Sequence, residues 1–331
     1  MRKKWIRGGI FLCLVLLLLS NLNRILCVKS PHGIDQTRYL YVQPKNKIDV
    51  LFLGSSHVHC NVNTQLLWDE YGMAAYLMTG AEQPLWNSYY NLKEALKTQK
   101  PKLVVLDMFC PSRFYDDFQP GWADENLDGM RISLNKLEAV YTSVQEEQSH
   151  FFLGFTEYHS RYDQLTAEDF QNFVWNRKTQ ERWKGYTPLN RHAELTEPDM
   201  SHVTTSQEMT EKSKEYFEKI VELTKKEGIT LALISGPYLL EERDQEVYNS
   251  IGQLAEKDGL LFWNTNTPAH YREMGLDFST DYADHAHLNE AGGAKYTAYL
   301  GKWLSQNYSF PDRRGQKGYE SWENQLVKSG E

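Results

Sequence analysis

Ser55 and Ser56 follow an apolar run in LFLGSSHVHC, residues 51–60, and Asp284 and His287 stand three apart in DYADHAHLNEAGG, residues 281–293. A serine hydroxyl becomes a useful nucleophile when a base takes its proton and a third group orients that base. An acid and an imidazole three residues apart on a turn can bond through the ring's Nδ1, leaving Nε2 to accept a serine proton. These residue types therefore support acyl transfer through a serine ester. Zinc binding competes for the same histidines. His57 and His59 with Cys60, and His285 and His287 with Asp281 and Asp284, form two H-x-H pairs. Alternating histidines can hold zinc, but the two-by-two spacing of a closed site is missing, so no metal is assigned. His57 and His285 read as substrate contacts or as supports for the site.

The elements that must unite serine and histidine are alternating strands and helices. KIDVLFLGSS gives a first buried strand and MAAYLMTG, 73–80, a second. KLVVLDMF, 102–109, gives a third, TLALISGPY, 230–238, a fourth, and LLFWNTNT, 260–267, a fifth. Leu85, Tyr89, Leu92 and Leu96 recur at helical spacing before Pro101. Further helices precede Gly228 and Gly259, and a last one begins near Asn289. Short, nearly continuous apolar strands between helices predict a parallel sheet covered on both faces. Ligands bind at the carboxyl ends of such strands, where Ser55, Ser56, His57, Gly80 and Asp107 all fall. Residues 111–205 break the rhythm and read as an inserted, mostly helical cap. Its aromatics, among them Phe114, Trp122, Phe155, Tyr158, Tyr162 and Trp175, could stack on sugar rings or form the cap's own small core. Residues 29–47 read as a polar linker, 48–306 as the folded domain, and 307–331 as a polar tail with little order.

The chain has 331 residues, 41% apolar, enough for a sizeable core in one compact unit. A net charge of -8 argues against a nucleic-acid binder, because nothing would neutralise a run of phosphates. MRKKWIRGG carries four basic residues, no acid precedes Asp35, and IFLCLVLLLL is unbroken. That is the pattern of a signal peptide or a signal anchor. No small-x-small cleavage site follows, so residues 1–28 are read as an uncleaved transmembrane anchor. The basic end is expected in the cytoplasm and the rest of the chain outside. Cys60 and Cys110 each follow a strand end, and either a disulfide or two free thiols fits.

With GSS after the first strand and D-x-x-H-x-N near the C-terminus, the chain resembles the SGNH (GDSL-type) hydrolases. FLGSSH, TGAEQPLWNSYYNLKEAL and DHAHLNEAGGAKYT resemble more narrowly the membrane-anchored SGNH-like proteins that partner membrane-bound O-acyltransferases, of the alginate-acetylation and D-alanyl-transfer type. The resemblance covers about 48–110 and 228–305. It implies a flavodoxin-like three-layer α/β/α sandwich on a five-stranded parallel sheet. It implies Ser56 as nucleophile, His287 as base and Asp284 as its orienter, with no cofactor. The Ser56 and Gly80 N–H groups would form the oxyanion hole. The family's Asp before the serine is Ser55 here, and its Asn donor after the third strand is absent from LDMF. Gln83 or Asn87 is the candidate replacement. The activity implied is O-acyl transfer, acetyl above all, to a cell-surface polysaccharide, with a multi-pass acyltransferase as partner in the membrane. An anchored carbohydrate acetylesterase and a non-catalytic scaffold or glycan-binding partner are the alternatives.

Overall fold

In a computed structural model, the described residues are 2–26, 32–152, 159–171 and 182–323. Five parallel strands lie in the order β2-β1-β3-β4-β5. They are β1 Val50–Gly54, β2 Ala75–Thr79, β3 Leu103–Asp107, β4 Thr230–Ser235 and β5 Leu261–Asn264. Val50 pairs with Ala75 on one side and Leu103 on the other, so β1 lies between β2 and β3. Side chains alternate across a strand, and here both sets are buried. Leu51, Leu53, Tyr76, Met78, Val104 and Leu106 enter one core layer. Val50, Phe52, Ala75, Leu77, Leu103 and Val105 enter the other. This is the expected three-layer α/β/α fold.

The helices through residue 143 include α1 Arg2–Leu26, α2 Ile34–Leu40, α3 Ser56–Asn61, α4 Thr64–Tyr71, α5 Leu85–Ala95, α6 Phe109–Arg113, α7 Ala123–Leu127 and α8 Leu134–Ser143. α5 and α8 lie on one face with helix Glu211–Glu227, and α3 and α4 lie on the other with helix Glu290–Asn307. Gly228 and Gly259 end their helices in left-handed conformation, at φ 68° and 67°. Within α1, Lys3–Asn23 is long and apolar enough to cross a membrane, and none of it is buried by the domain.

Three expectations are corrected. The segment read as a linker, 29–47, carries α2, which buries Ile34, Gln36, Thr37 and Leu40. Residues 29–31 of that segment lie outside the described residues. The tail is not loose up to residue 323. Arg313 makes a two-point contact with Asp49, at 2.7 and 2.9 Å, and Trp322 is fully buried with its Nε1 donating to the Ala75 carbonyl at 3.0 Å. The insertion is not a separate cap with its own core. Leu127, Val140 and Phe151 enter the main core beside the sheet, and among the described residues short helices and turns are joined by irregular chain. Phe155, Tyr158 and Trp175 lie outside the described residues.

Candidate active site

β1 runs into Gly54, whose φ of 153° suits glycine alone. A Cβ there would sit 2.7 Å from the Asp107 Cβ and 2.9 Å from Val58. The chain turns at once into α3. Ser55 is buried and caps that helix, its Oγ accepting from the His57 N–H at 3.2 Å. Ser56 is the first helical residue and is half-buried, so it alone of the pair keeps some exposure. From the far end of the sequence, His287 Nε2 lies 2.8 Å from Ser56 Oγ. His287 Nδ1 lies 2.7 Å from Asp284 Oδ1. An ionised carboxylate only accepts, so Nδ1 carries the proton and Nε2 accepts from the serine hydroxyl.

The loop that carries the imidazole is fixed from several directions. Asp284 Oδ1 also accepts from the Ala286 and His287 N–H groups, both at 3.0 Å. The His287 carbonyl accepts from the Ala283 N–H at 2.9 Å. Asn61, at the end of α3, accepts from the Leu288 N–H at 3.0 Å, and its carbonyl accepts from Thr297 Oγ1 at 3.1 Å. The serine helix thus grips the histidine loop directly. Asn289 caps helix Glu290–Asn307 by accepting from the Gly292 N–H. Burial would raise the Asp284 carboxyl, but the His287 bond, the imidazole's charge, the Ala286 N–H and Arg191 together hold it at about 2. Arg191 Nη2 donates to Asp284 Oδ2 at 2.9 Å.

The other residues singled out in the sequence divide between the site and its surroundings. Gly80 sits at the end of β2 beside the serine turn, since Thr79 pairs with Gly54. A Cβ on it would meet Asn126 Oδ1 at 2.4 Å. Gln83 and Asn87, the candidate oxyanion donors, lie on the turn before α5 and on α5 itself. Both are buried; Gln83 bonds Ser88 and Asn91, and Asn87 Oδ1 accepts from Ser143 Oγ. His57 fits the supporting role. It is buried, its ring stacked on Phe109 at 4.6 Å, with Nδ1 3.6 Å from Asp107. His285 is exposed, and its carbonyl accepts from the Leu239 N–H. Asp281 pairs with Lys295 at 2.6 Å. Among the described residues no cluster of three or more His, Cys, Asp or Glu could hold a metal. Cys60 and Cys110 are buried free thiols; burial, with Asp284 nearby, pushes Cys60 up to about 12, away from thiolate chemistry.

Four residues at the site escaped the sequence reading. Arg191 belongs to the end of the insertion, which runs beside the loop through Ala193 N–H to Tyr282 O at 2.8 Å. Asn126 of α7 lies over Gly80, its Nδ2 held by the Ala81 and Trp122 carbonyls. Asn61 ends α3 and holds the Leu288 N–H. His32, just ahead of α2, stacks on His59 at 4.4 Å. Burial lowers its basicity, the nearby Glu125 charge opposes this, and His287 adds to the lowering. No pattern of spacing marks any of the four, because each is defined by a contact distant in sequence.

No protein-family profile matches the chain, and no curated protein matches it. Among solved structures, it is similar to a provisionally assigned acylhydrolase of Bacteroides fragilis NCTC 9343, at 12% identity and TM-score 0.39. That match covers 82% of this chain and 94% of the other. It is also similar to a gut microbial diltiazem-metabolizing enzyme, at 13% identity and TM-score 0.29, covering 79% of this chain and 49% of that one. Likenesses this distant do not assign an activity.

Proposed function

We propose that this protein is an extracytoplasmic serine enzyme that moves an acyl group through an ester on Ser56. The observation that carries the reading is the continuous chain Ser56 Oγ to His287 Nε2 to His287 Nδ1 to Asp284, at 2.8 and 2.7 Å. Ser56 Oγ attacks the acyl carbonyl as Nε2 takes its proton. Asp284, ionised, stabilises the imidazolium that results. The Ser56 and Gly80 N–H groups are the donors for the developing oxyanion. The imidazolium then gives its proton to the leaving group. In the second half His287 draws a proton from an acceptor hydroxyl, whose oxygen takes the acyl group, and the imidazolium returns that proton to Ser56 Oγ as the serine ester breaks. The resemblance noted in the sequence supports acetyl as the group, a cell-surface polysaccharide as acceptor and a multi-pass O-acyltransferase as partner. The apolar length of Lys3–Asn23 supports an anchored chain.

A second reading, an anchored acetylesterase with water as acceptor, is favoured by the openness of the pair. The His287 and Asp284 side chains are 20% and 31% exposed. The test uses the full chain in detergent, a fluorophosphonate probe and p-nitrophenyl acetate, with and without an acetylatable oligosaccharide. Labelling at the Ser56 peptide and loss of turnover in Ser56→Ala are expected. Acetyl on the sugar identifies transfer, and free acetate alone identifies the esterase. An unlabelled Ser56, with turnover untouched by Ser56→Ala, refutes both readings.

A further inference from the structure

The end of α1 does not hang free of the domain. Leu26, its last residue, is buried. The Leu26 carbonyl accepts from Arg161 Nη1 at 2.5 Å. Arg161 Nη2 also reaches Asp169 Oδ1 at 3.4 Å, and Asp169 Oδ2 accepts from the Thr166 N–H at 2.9 Å. The helical turn His159–Asp163 and the helix Ala167–Gln171 are thereby fastened to the point where α1 ends. Two large aromatics on these elements face outward. Tyr162 is 74% exposed and Phe170 53%. Scattered exposed apolar residues are ordinary. Aromatics at the mouth of a membrane-spanning helix are not scattered, since that is the depth at which amphipathic rings partition between headgroups and water.

The same end of α1 is tied to the candidate active site. Leu26 and His32 are only six positions apart in the chain. Even a fully extended chain of that length spans about 20 Å. His32 stacks on His59 and feels the charge of His287. Gly33 lies so close to α7 that a Cβ on it would overlap the Glu125 carbonyl. The leash is short and its far end is clamped.

We infer that Tyr162 and Phe170 sit in the headgroup region of the bilayer that α1 spans. This holds the Ser56–His287 site at a fixed, short height above that surface. The occupant of this face is lipid, because the span that must enter the bilayer is bolted to the very elements that carry the two rings. An acyl donor presented at the membrane surface then reaches Ser56 without leaving it. The inference rests on the part of the proposed function that makes α1 an anchor, but not on the catalytic reading.

The test places nitroxide labels at Tyr162→Cys, Phe170→Cys and, as a control, Leu261→Cys. Leu261 is half exposed on β5, the edge strand at the other end of the sheet from β2. Cys13 and Cys27 are replaced by Ala; Cys60 and Cys110 are buried and stay unlabelled. The full chain goes into phosphatidylcholine–phosphatidylglycerol vesicles, and collision with oxygen is compared with collision with a water-soluble nickel chelate. The expected oxygen-to-nickel ratio is severalfold higher at 162 and 170 than at 261. Ratios at 162 and 170 equal to that at 261 overturn the inference. So do labels shielded from both reagents, which would mean that protein covers the face. Mass spectrometry of the purified chain checks that α1 is retained, and its loss also overturns the inference. The double variant Tyr162→Ser/Phe170→Ser, which touches neither Ser56 nor His287, is expected to keep solution turnover of p-nitrophenyl acetate and lower both depth and donor use in vesicles. Because depth is read without turnover, an inert Ser56 would sink the catalytic reading and leave this one standing.

Discussion

At the scale of single residues, the site depends on one imidazole being held in one tautomer. Asp284→Asn replaces an acceptor-only group with one that can donate, and so favours the wrong tautomer. Turnover should fall by on the order of 10³- to 10⁴-fold with the fold intact, which steady-state kinetics beside a thermal melt would show. Asp284 also contributes to pH-dependent stability. Its folded value of about 2 lies below the ordinary 3.8. The contribution is therefore complete above 3.8 and is lost as pH falls through about 2. Arg191→Met should move that loss to higher pH, since one source of the lowering is gone. Urea titrations between pH 2 and 5 would reveal it, and coincident curves for parent and variant would count against Arg191. The serine and the D-x-x-H pair were legible because their chemistry is local and their types are few. Arg191 and Asn126 were not, because an arginine in NRHAE and an asparagine in ADENL look like ordinary surface residues until the chain folds.

At the scale of elements, the site is a junction between α3 and the loop ahead of the last helix. Gly292 lies in that helix's first turn, where a Cβ would meet the Asp281 carbonyl at 2.2 Å. Gly292→Ala must push the helix away from the loop that bears His287. A loss of about 1–3 kcal/mol is expected, with turnover falling further than stability alone explains. Denaturant titration and kcat together test this. Asn61→Ala should act in the same direction by freeing the Leu288 N–H, without the overlap. The strands were readable from sequence because both their faces are buried, which leaves unbroken apolar runs such as Val50–Leu53 and Leu103–Leu106. α2 was not readable. Its seven residues bury Gln36 and Thr37 as well as Ile34 and Leu40, so their composition is that of a loop. Tertiary packing on β2 overrides it.

At the scale of the whole molecule, the two ends of the domain close over the same sheet edge. α2 covers β2 from the N-terminal side, and Trp322 bonds to Ala75 of β2 from the C-terminal side. Lys184 from the insertion lies over the Trp322 ring at 4.0 Å. Trp322→Ala should therefore cost about 3–5 kcal/mol, measured by urea unfolding of the full chain in detergent. A change within experimental error would mean the tail is dispensable. That closure was hidden in the sequence because one tryptophan in a polar stretch gives no periodicity to read. The distance along the chain between the reacting partners has one more consequence. Ser56 and His287 are separated by 231 positions. During synthesis the hydroxyl emerges long before the imidazole, so an unfinished chain carries an unarmed serine. The candidate pair therefore cannot assemble in a chain that stops short of residue 287, and any chemistry it performs waits until that imidazole has been made.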